Sequence, residues 1–179
     1  TFPAADYRDQ AQVQEEDIQE AYETGHALYS RPERVRARHI LLMLPKDAGQ
    51  AEDQAAKTQA ETLLAEAQKP GADFAALARE HSKDGSAENG GDLGYFTRGQ
   101  VVPEFEEVAF RLKPGELATV RTTFGWHVVK VEDHQAASLT PLEKVRGEIR
   151  EALVMKQARE LATIQAEQAF DQVAAGTPA

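Results

Sequence analysis

Residues 35–44 have the sequence VRARHILLML, and the prediction of this fold starts from them. Apolar and branched side chains dominate the segment, which is typical of a buried β-strand. Successive side chains of a strand point to opposite faces, so His39 shares a face with Leu41 and Met43. The sequence therefore predicts an imidazole on an otherwise apolar strand face.

A second segment, FGWHVVKVE at residues 124–132, has the same character. Together with residues 119–121 it predicts a hairpin that turns near Phe124. Alternation again places a histidine, His127, on an apolar face. Either histidine alone is more typical of a hydrogen-bonded core residue than of a functional one. Two histidines without a carboxylate at ligand spacing do not define a metal site.

The residues between these two segments alternate between helical and loop patterns. Residues 51–69 are rich in Ala, Glu and Gln, which predicts a helix that ends at Pro70. Asp73 is a predicted N-cap of a second, short helix. Pro103 is typical of the first turn of a third helix. Residues 82–100 contain five glycines and no helical period, which predicts a long loop with at most one short strand.

The glycine-rich segment around Gly90 fits neither of the common phosphate-binding motifs. No Gly-Lys-Ser/Thr follows it, which excludes a P-loop. It also does not connect a strand to a long helix, as a dinucleotide-binding fingerprint requires. A plain surface loop is the simplest alternative, but the loop also carries Leu93, Tyr95 and Phe96, which solvated loops seldom keep.

Both ends of the chain have helical patterns. In the first flank Ile18, Tyr22 and Tyr29 follow a helical period that ends before Pro32. The sequence TPLE at 140–143 predicts a capped start for a last helix. If that helix continues to about residue 174, its length is roughly 50 Å at ~1.5 Å per residue. Such a helix must project from the protein, pack on the first flank or pair with another chain. If the first flank does not pack on this helix, the alternative is that it forms a solvated acidic arm.

Composition limits the classes of function. The 179 residues include 20 Lys and Arg and 30 Asp and Glu, for a net charge of −10. An acidic surface disfavours binding to nucleic acid or to anionic membranes. The absence of cysteine excludes disulfides, zinc–thiolate sites and thiol catalysis. No stretch approaches the ~20 apolar residues of a membrane span. We interpret the start at Thr1 as that of a processed protein or a piece of a longer one, from which an N-terminal anchor could have been lost.

The order of these motifs resembles that of the parvulin-type peptidyl-prolyl isomerases. The resemblance covers residues 34–134 and includes VRARHILL, DFAALAREHS, NGGDLGYF, FEEVAF and FGWHVVKV. The flanks, residues 1–33 and 135–179, are similar to those of bacterial extracytoplasmic foldases of the membrane-anchored PpiD type. The resemblance implies an α+β fold, with helices around a four-stranded antiparallel sheet and helical extensions at both ends. We expect the last helix to pack on the first flank.

The resemblance also implies a set of site residues. It places His39 and His127 at the centre of the sheet, hydrogen-bonded to each other and to Thr122. Asp84 takes the position where this family carries cysteine or aspartate. The implied proline pocket is formed by Leu93, Val101 and Phe105, with Phe96 at its wall. Val101 replaces a methionine that is common in the family, so we expect a looser pocket.

The function implied by the resemblance is cis–trans isomerisation of Xaa-Pro bonds in unfolded or nascent polypeptides, without a cofactor. The loop after the first strand offers Lys46 but no arginine cluster, which favours unphosphorylated substrates. We expect a periplasmic protein, anchored to the inner membrane in its full-length form, with no nucleic-acid partner and no direct membrane contact by this part.

Two other functions stay open at this point. One is a non-catalytic module that holds unfolded polypeptides through the same groove and the helical flanks. The other is a structural part that assembles through its last helix, although Lys156 and Gln157 interrupt the apolar stripe that a coiled coil would need.

Overall fold

The computed structural model describes residues 2–174 and 176. Its strands are β1 (Ser30–Arg31), β2 (Arg34–Met43), β3 (Asp92–Thr97), β4 (Leu117–Thr122), β5 (Gly125–Gln135) and β6 (Ser138–Leu139). Its α-helices are α1 (Glu15–Thr24), α2 (His26–Tyr29), α3 (Gln50–Ala67), α4 (Phe74–His81), α5 (Pro103–Arg111) and α6 (Leu142–Ala174). Two 3₁₀ helices span Ala4–Gln10 and Ala87–Asn89. The chain divides into a sheet unit, Pro32–Ser138, and a helical unit, Thr1–Arg31 with Leu139–Ala179.

The sheet unit is built on a four-stranded antiparallel sheet with the order β3-β2-β5-β4. The predicted α+β class, with helices around such a sheet, is therefore confirmed. Strands β2 and β5 are the central pair, and they are the two segments that carry His39 and His127. Antiparallel pairing along β2 and β5 brings distant parts of the chain into register, with Leu41 opposite His127.

Each face of the sheet buries its own apolar cluster, because side chains alternate along β2 and β5. One face packs against α5, and the other packs against α3 and α4. The α5 face buries Val35, Ala37, Val129, Val131, Phe105, Val108 and Phe110. The opposite face buries Ile40, Leu42, Val128, Ala60, Leu63, Phe74 and Ala78. Both histidines lie on the α5 face.

The helix boundaries of the sheet unit follow the capping signals in the sequence. The Asp73 carboxylate accepts a hydrogen bond from the Ala76 N–H at 3.1 Å, as expected of an N-cap. Pro103 is the first residue of α5. Within the segment 82–100, for which the sequence predicts a loop with at most one short strand, residues 92–97 pair with β2 as an edge strand. This pairing is a non-local contact that overrides the weak strand propensity of Gly94.

The helical unit has a small apolar core of its own. Ile18 of α1 is fully buried against Val145 and Ile149 of α6. The predicted first helix is interrupted, since Gly25 leaves helical geometry at φ −89° and ψ 15° and separates α1 from α2. Tyr22 and Tyr29 nevertheless lie next to each other across this break, where their rings stack with centroids 5.1 Å apart. In the described part of the chain, the helices lack an apolar stretch of the length that a bilayer crossing needs.

Candidate active site

The two histidines meet on the α5 face because of the register of β2 and β5. His39 lies opposite Val129 and His127 lies opposite Leu41, so the histidines are diagonal neighbours on one face. Their Nδ1 atoms are 3.1 Å apart and their rings stack with centroids at 5.3 Å. Both side chains are buried, and a buried imidazole needs polar partners.

Thr122, the last residue of β4, supplies the next partner in this chain of polar groups. Its Oγ1 lies 2.8 Å from His127 Nε2, and the same oxygen accepts a hydrogen bond from the Phe124 N–H at 3.2 Å. The tight turn between β4 and β5 produces this arrangement, since it folds Thr122 back towards His127. Thr122 is itself buried, so it acts within the protein and not on its surface.

Asp84 lies at the other end of the chain of polar groups, in the segment after α4. Its Oδ1 accepts hydrogen bonds from the Ser86 N–H at 2.9 Å and from the Ser86 hydroxyl at 2.5 Å. The same oxygen lies 3.0 Å from His39 Nε2. The ring N–H is not aligned with the carboxylate oxygen, so His39 Nε2 has no well-directed hydrogen bond and this contact is mainly electrostatic.

The protonation of the site follows from burial and hydrogen bonding. Burial opposes ionisation of Asp84, but the hydrogen bonds from Ser86 and the contact with His39 outweigh it and lower the pKa of Asp84 to about 2. Burial is the main reason that the pKa of His127 is lowered to about 4, and the neighbouring His39 lowers it further. At neutral pH the site therefore holds an ionised Asp84 beside an uncharged His127.

These states constrain the hydrogen-bond directions. When both rings are uncharged, His39 Nε2 carries a proton towards the Asp84 carboxylate, which can only accept. His39 Nδ1 then accepts from the His127 Nδ1–H, and His127 Nε2 accepts from the Thr122 hydroxyl. This proton assignment is inferred from the partners. In this assignment Thr122 donates to His127 and His127 donates to His39, so the network fixes the His39 ring with its Nε2–H on the side of Asp84.

The segment that carries Asp84 and Leu93 is held against β2 through Gly91. The His39 N–H donates to the Gly91 carbonyl at 2.9 Å. Gly91 has φ +73°, and a Cβ at this position would lie 2.1 Å from the His39 carbonyl oxygen. Only glycine allows this close approach of two backbones. The glycine-rich segment is thus a structural clamp beside the site and not a phosphate-binding loop.

A cavity of about 720 Å³ opens next to His39, His127 and Asp84. Its other lining residues are largely apolar: Leu41, Met43, Leu93, Gly99, Gln100, Val101, Val102, Pro103, Phe105 and Phe124. Of the predicted pocket residues, Leu93, Val101 and Phe105 therefore lie at the cavity. Phe96 is in the core behind Phe105, with ring centroids 6.1 Å apart, and it does not line the cavity. Thr122 is likewise behind His127.

Sequence reasoning missed the cavity residues Gly99, Gln100, Val102 and Pro103, which lie at the end of the predicted loop and the start of the third helix, and it missed four further residues of the site. Leu41 and Met43 could have been found, because they alternate with His39 on the same strand face. Phe124 could not have been found, because an aromatic residue next to a strand is usually expected in the core and the sequence does not show that it is 54% exposed. Ser86 follows Asp84 by two residues, a spacing typical of a local turn in which an aspartate accepts hydrogen bonds.

The arrangement suits binding of an apolar group and an electrostatic effect of Asp84 on that group more than it suits covalent catalysis. In residues 2–174 and 176, no group of three His, Cys, Asp or Glu side chains is placed to hold a metal ion. The Thr122 hydroxyl is buried and engaged by His127, so it is not presented to a substrate as a nucleophile. What the site does present is an apolar notch with one fixed carboxylate at its edge.

Comparisons with known proteins agree with this geometry. Residues 25–135 match the family described as PPIC-type PPIASE domain. The foldase protein PrsA of Oceanobacillus iheyensis is 38% identical over 148 residues, 80% of this chain and 43% of PrsA. The chaperone SurA of Aromatoleum aromaticum is 40% identical over 129 residues, 72% of this chain and 28% of SurA.

A solved structure from Campylobacter jejuni extends the comparison to the fold. It comes from work on PEB4 and the periplasmic protein Cj1289, described as SurA-like chaperones. It superposes with a TM-score of 0.69 at 26% identity, over 94% of this chain and 66% of that one. This chain spans less than half the length of the two curated relatives.

Proposed function

Because this chain belongs to the PPIC-type peptidyl-prolyl isomerase family, we propose that it catalyses cis–trans rotation about unphosphorylated Xaa-Pro bonds in folding polypeptides outside the cytoplasm. The observation that carries this proposal is the apolar cavity beside Asp84, His39 and His127. Its apolar lining suits a proline ring, its volume of about 720 Å³ also leaves room for the residues on either side of the proline, and its polar edge suits a peptide carbonyl.

The reaction requires a twisted amide and no broken covalent bond. Rotation about a peptide bond is opposed by a barrier of ~18–20 kcal/mol, which reflects partial double-bond character. A catalyst of this step must bind the twisted form better than the planar one. We assign Leu93, Val101 and Phe105 to hold the proline ring while the preceding carbonyl turns.

Asp84 is the group proposed to act on the carbonyl. The planar amide places negative charge on its oxygen, so a nearby carboxylate raises the energy of the planar form relative to the twisted one. Ionised Asp84 has this charge at neutral pH. The contacts with Ser86 and His39 all go to Oδ1, so within the described residues Oδ2 is left for the substrate.

His39, His127 and Thr122 are assigned as positioning residues for Asp84. In this role they transfer no proton to the substrate, and the chain of contacts from Thr122 to Asp84 keeps the carboxylate in one orientation. A charge that is already in place needs little rearrangement during the reaction. A network that holds such a charge therefore lowers the energy barrier.

Substrate preference is proposed from the charges near the cavity. Its lining includes no lysine or arginine, whereas recognition of a phosphate would call for one or more of them. Unmodified Xaa-Pro segments therefore fit better than phosphoserine-Pro. Val101 leaves more space than the methionine common in the family, so we expect weak and permissive binding, which suits varied clients.

The clients and the location are proposed from the relatives. Their names, foldase and chaperone, support unfolded or nascent polypeptides as partners, and one structural relative is named as periplasmic. The resemblance of the flanks to those of PpiD-type foldases, and with it inner-membrane anchoring of a longer form, stays a prediction.

Refolding kinetics test the proposed function. Xaa-Pro isomerisation takes tens to hundreds of seconds and limits the refolding of many proteins. Substoichiometric amounts of this protein should accelerate the slow phase of a client whose refolding waits on a proline. A module that only holds unfolded chains would slow refolding, and it would need stoichiometric amounts, so that result would overturn catalysis in favour of the binding alternative.

A further inference from the structure

The loop at residues 97–102, between β3 and α5, forms one side of the cavity. Gly99, Gln100, Val101 and Val102 all line the cavity from this loop. Gly99 has φ +83°, a backbone conformation that suits a tight turn. Because the pocket wall is a turn and not part of a strand or helix, the contacts that hold this turn also set the shape of the pocket.

Two side chains fix the backbone of the loop, Gln100 from within the loop and Glu106 from α5. The Thr97 N–H donates to the Gln100 side-chain carbonyl at 2.7 Å. The Gly99 N–H donates to the Glu106 carboxylate at 2.5 Å. Both contacts fix the backbone directly, and Glu106 ties the turn to the first half of α5.

Arg98 connects the same turn to the rest of the sheet unit. Its guanidinium lies 3.1 Å from the Glu33 carboxylate and 3.8 Å from the Glu106 carboxylate. It also stacks over the Phe110 ring at 4.3 Å. A single exposed ion pair contributes little. A planar guanidinium that is held by two carboxylates and an aromatic face has few alternative positions, and lysine does not reproduce this.

Glu33, the main partner of Arg98, is anchored to the central strands. It directly precedes β2, and its second oxygen lies 2.8 Å from His134 Nε2 on β5. The hydrogen bond from His134 is the largest influence on Glu33 and lowers its pKa, and Arg98 lowers it further. Glu33 thus stays ionised at neutral pH and holds Arg98 from a rigid base.

We infer that Arg98 is a positioning residue for the proposed reaction: it holds the 97–102 wall of the cavity against the Glu33–His134 pair and so sets the affinity for the proline ring. This inference rests on the proposed function for the identity of the ligand. Arg98 is not among the residues that line the cavity, so its effect passes through Val101 and Val102.

The test compares Arg98→Ala and Arg98→Lys with Arg34→Ala. Arg34 is a matched control, because it is also exposed and its side chain stacks over an aromatic ring (Tyr95, 4.5 Å) and donates to Gln135 at 2.8 Å. Its backbone pairs with Thr97 at the start of the loop, but these side-chain contacts, which alanine removes, go to Tyr95 and Gln135 outside the loop. Binding of an Ala-Pro peptide is measured by NMR titration, the catalysed rate at saturation by exchange NMR, and the order of the loop by hydrogen exchange of the Gly99 amide.

We expect Arg98→Ala to weaken peptide binding about tenfold, while the rate at saturation changes less than about twofold. Arg98→Lys should fall between Arg98→Ala and the wild type, and Arg34→Ala should leave binding unchanged. The Gly99 amide should exchange faster only in the Arg98 variants. Equal affinity in Arg98→Ala and Arg34→Ala, or unchanged Gly99 exchange, would overturn the inference. If the wild type binds the peptide but does not catalyse its isomerisation, the proposed function fails, and the affinity and Gly99 comparisons still decide the role of Arg98.

Discussion

Substitution of Gly91 by alanine tests whether close approach of the glycine segment to β2 builds the site. The new Cβ would lie 2.1 Å from the His39 carbonyl oxygen, where ordinary contact begins at 3.4 Å. The positive φ adds about 1–2 kcal/mol of strain, partly offset by about 0.4–1 kcal/mol from the less flexible unfolded chain. Separating the two backbones also breaks the hydrogen bond from the His39 N–H, a loss of about 1–3 kcal/mol. The expected loss of stability is about 3 kcal/mol in total.

Gly94→Ala is the matched control for this prediction. Gly94 has φ +67°, close to the value at Gly91, but a Cβ there would meet nothing within 4 Å. It should therefore show only the backbone strain, a net loss of about 1 kcal/mol or less. Urea denaturation gives both stabilities, and exchange NMR gives the isomerisation rate, which should fall only in Gly91→Ala as Asp84 and Leu93 move. Equal losses in the two variants would refute the reasoning, because strain alone would then explain them.

Three further predictions follow from burial and pKa. First, the unfolding free energy should fall as pH drops from about 6.5 to about 4, because unfolded His127 binds a proton in that range and folded His127 does not. The His127→Gln variant should lack this loss of unfolding free energy, which amounts to up to about 3 kcal/mol over the range. Urea denaturation at several pH values measures it, and the same pH dependence in the variant and the wild type would contradict the prediction. Second, Ile18→Ala should destabilise the helical unit by about 2–4 kcal/mol, since Ile18 is fully buried, whereas Ile164→Ala, at a side chain 47% exposed, should change stability by less than about 0.5 kcal/mol. Melting curves compare the two, and similar losses would argue against the Ile18 core. Third, Leu93→Ala should weaken binding of an Ala-Pro peptide about tenfold in NMR titrations. Leu28→Ala, at a residue 82% exposed, serves as the control, and equal affinities would remove Leu93 from the pocket.

The elements with strong local signals could be predicted from the sequence. Strand β2, the hairpin of β4 and β5, and helix α4 with its Asp73 cap appear where periodicity and capping place them. For strand β3 the sequence predicts a loop that contains at most one short strand. Its position could not be predicted, because β3 is stabilised by pairing with β2 and not by the strand propensity of its own residues. The break at Gly25 was missed because the helical spacing of Ile18, Tyr22 and Tyr29 continues across it.

The site was less accessible to local reasoning than the fold. Alternation shows which strand face each histidine occupies, but it does not show that β2 and β5 are neighbours in the sheet. That step depended on the resemblance to a known family. Phe96 shows what the resemblance could not predict. An apolar residue near a pocket can either line the pocket or support a lining residue from behind, and only the packing of Phe96 on Phe105 shows that it has the second role.

Catalysis by the Asp84 site is tested most directly by exchange NMR of an Ala-Pro peptide with a substoichiometric amount of the protein. The wild type should produce cis–trans exchange faster than the spontaneous rate, and Asp84→Asn should reduce the catalysed rate at least about tenfold while its circular dichroism stays unchanged. Such a folded variant is expected because the Asp84 side chain is 33% exposed. Exchange at the spontaneous rate with the wild type, or equal rates with both proteins, would contradict the account.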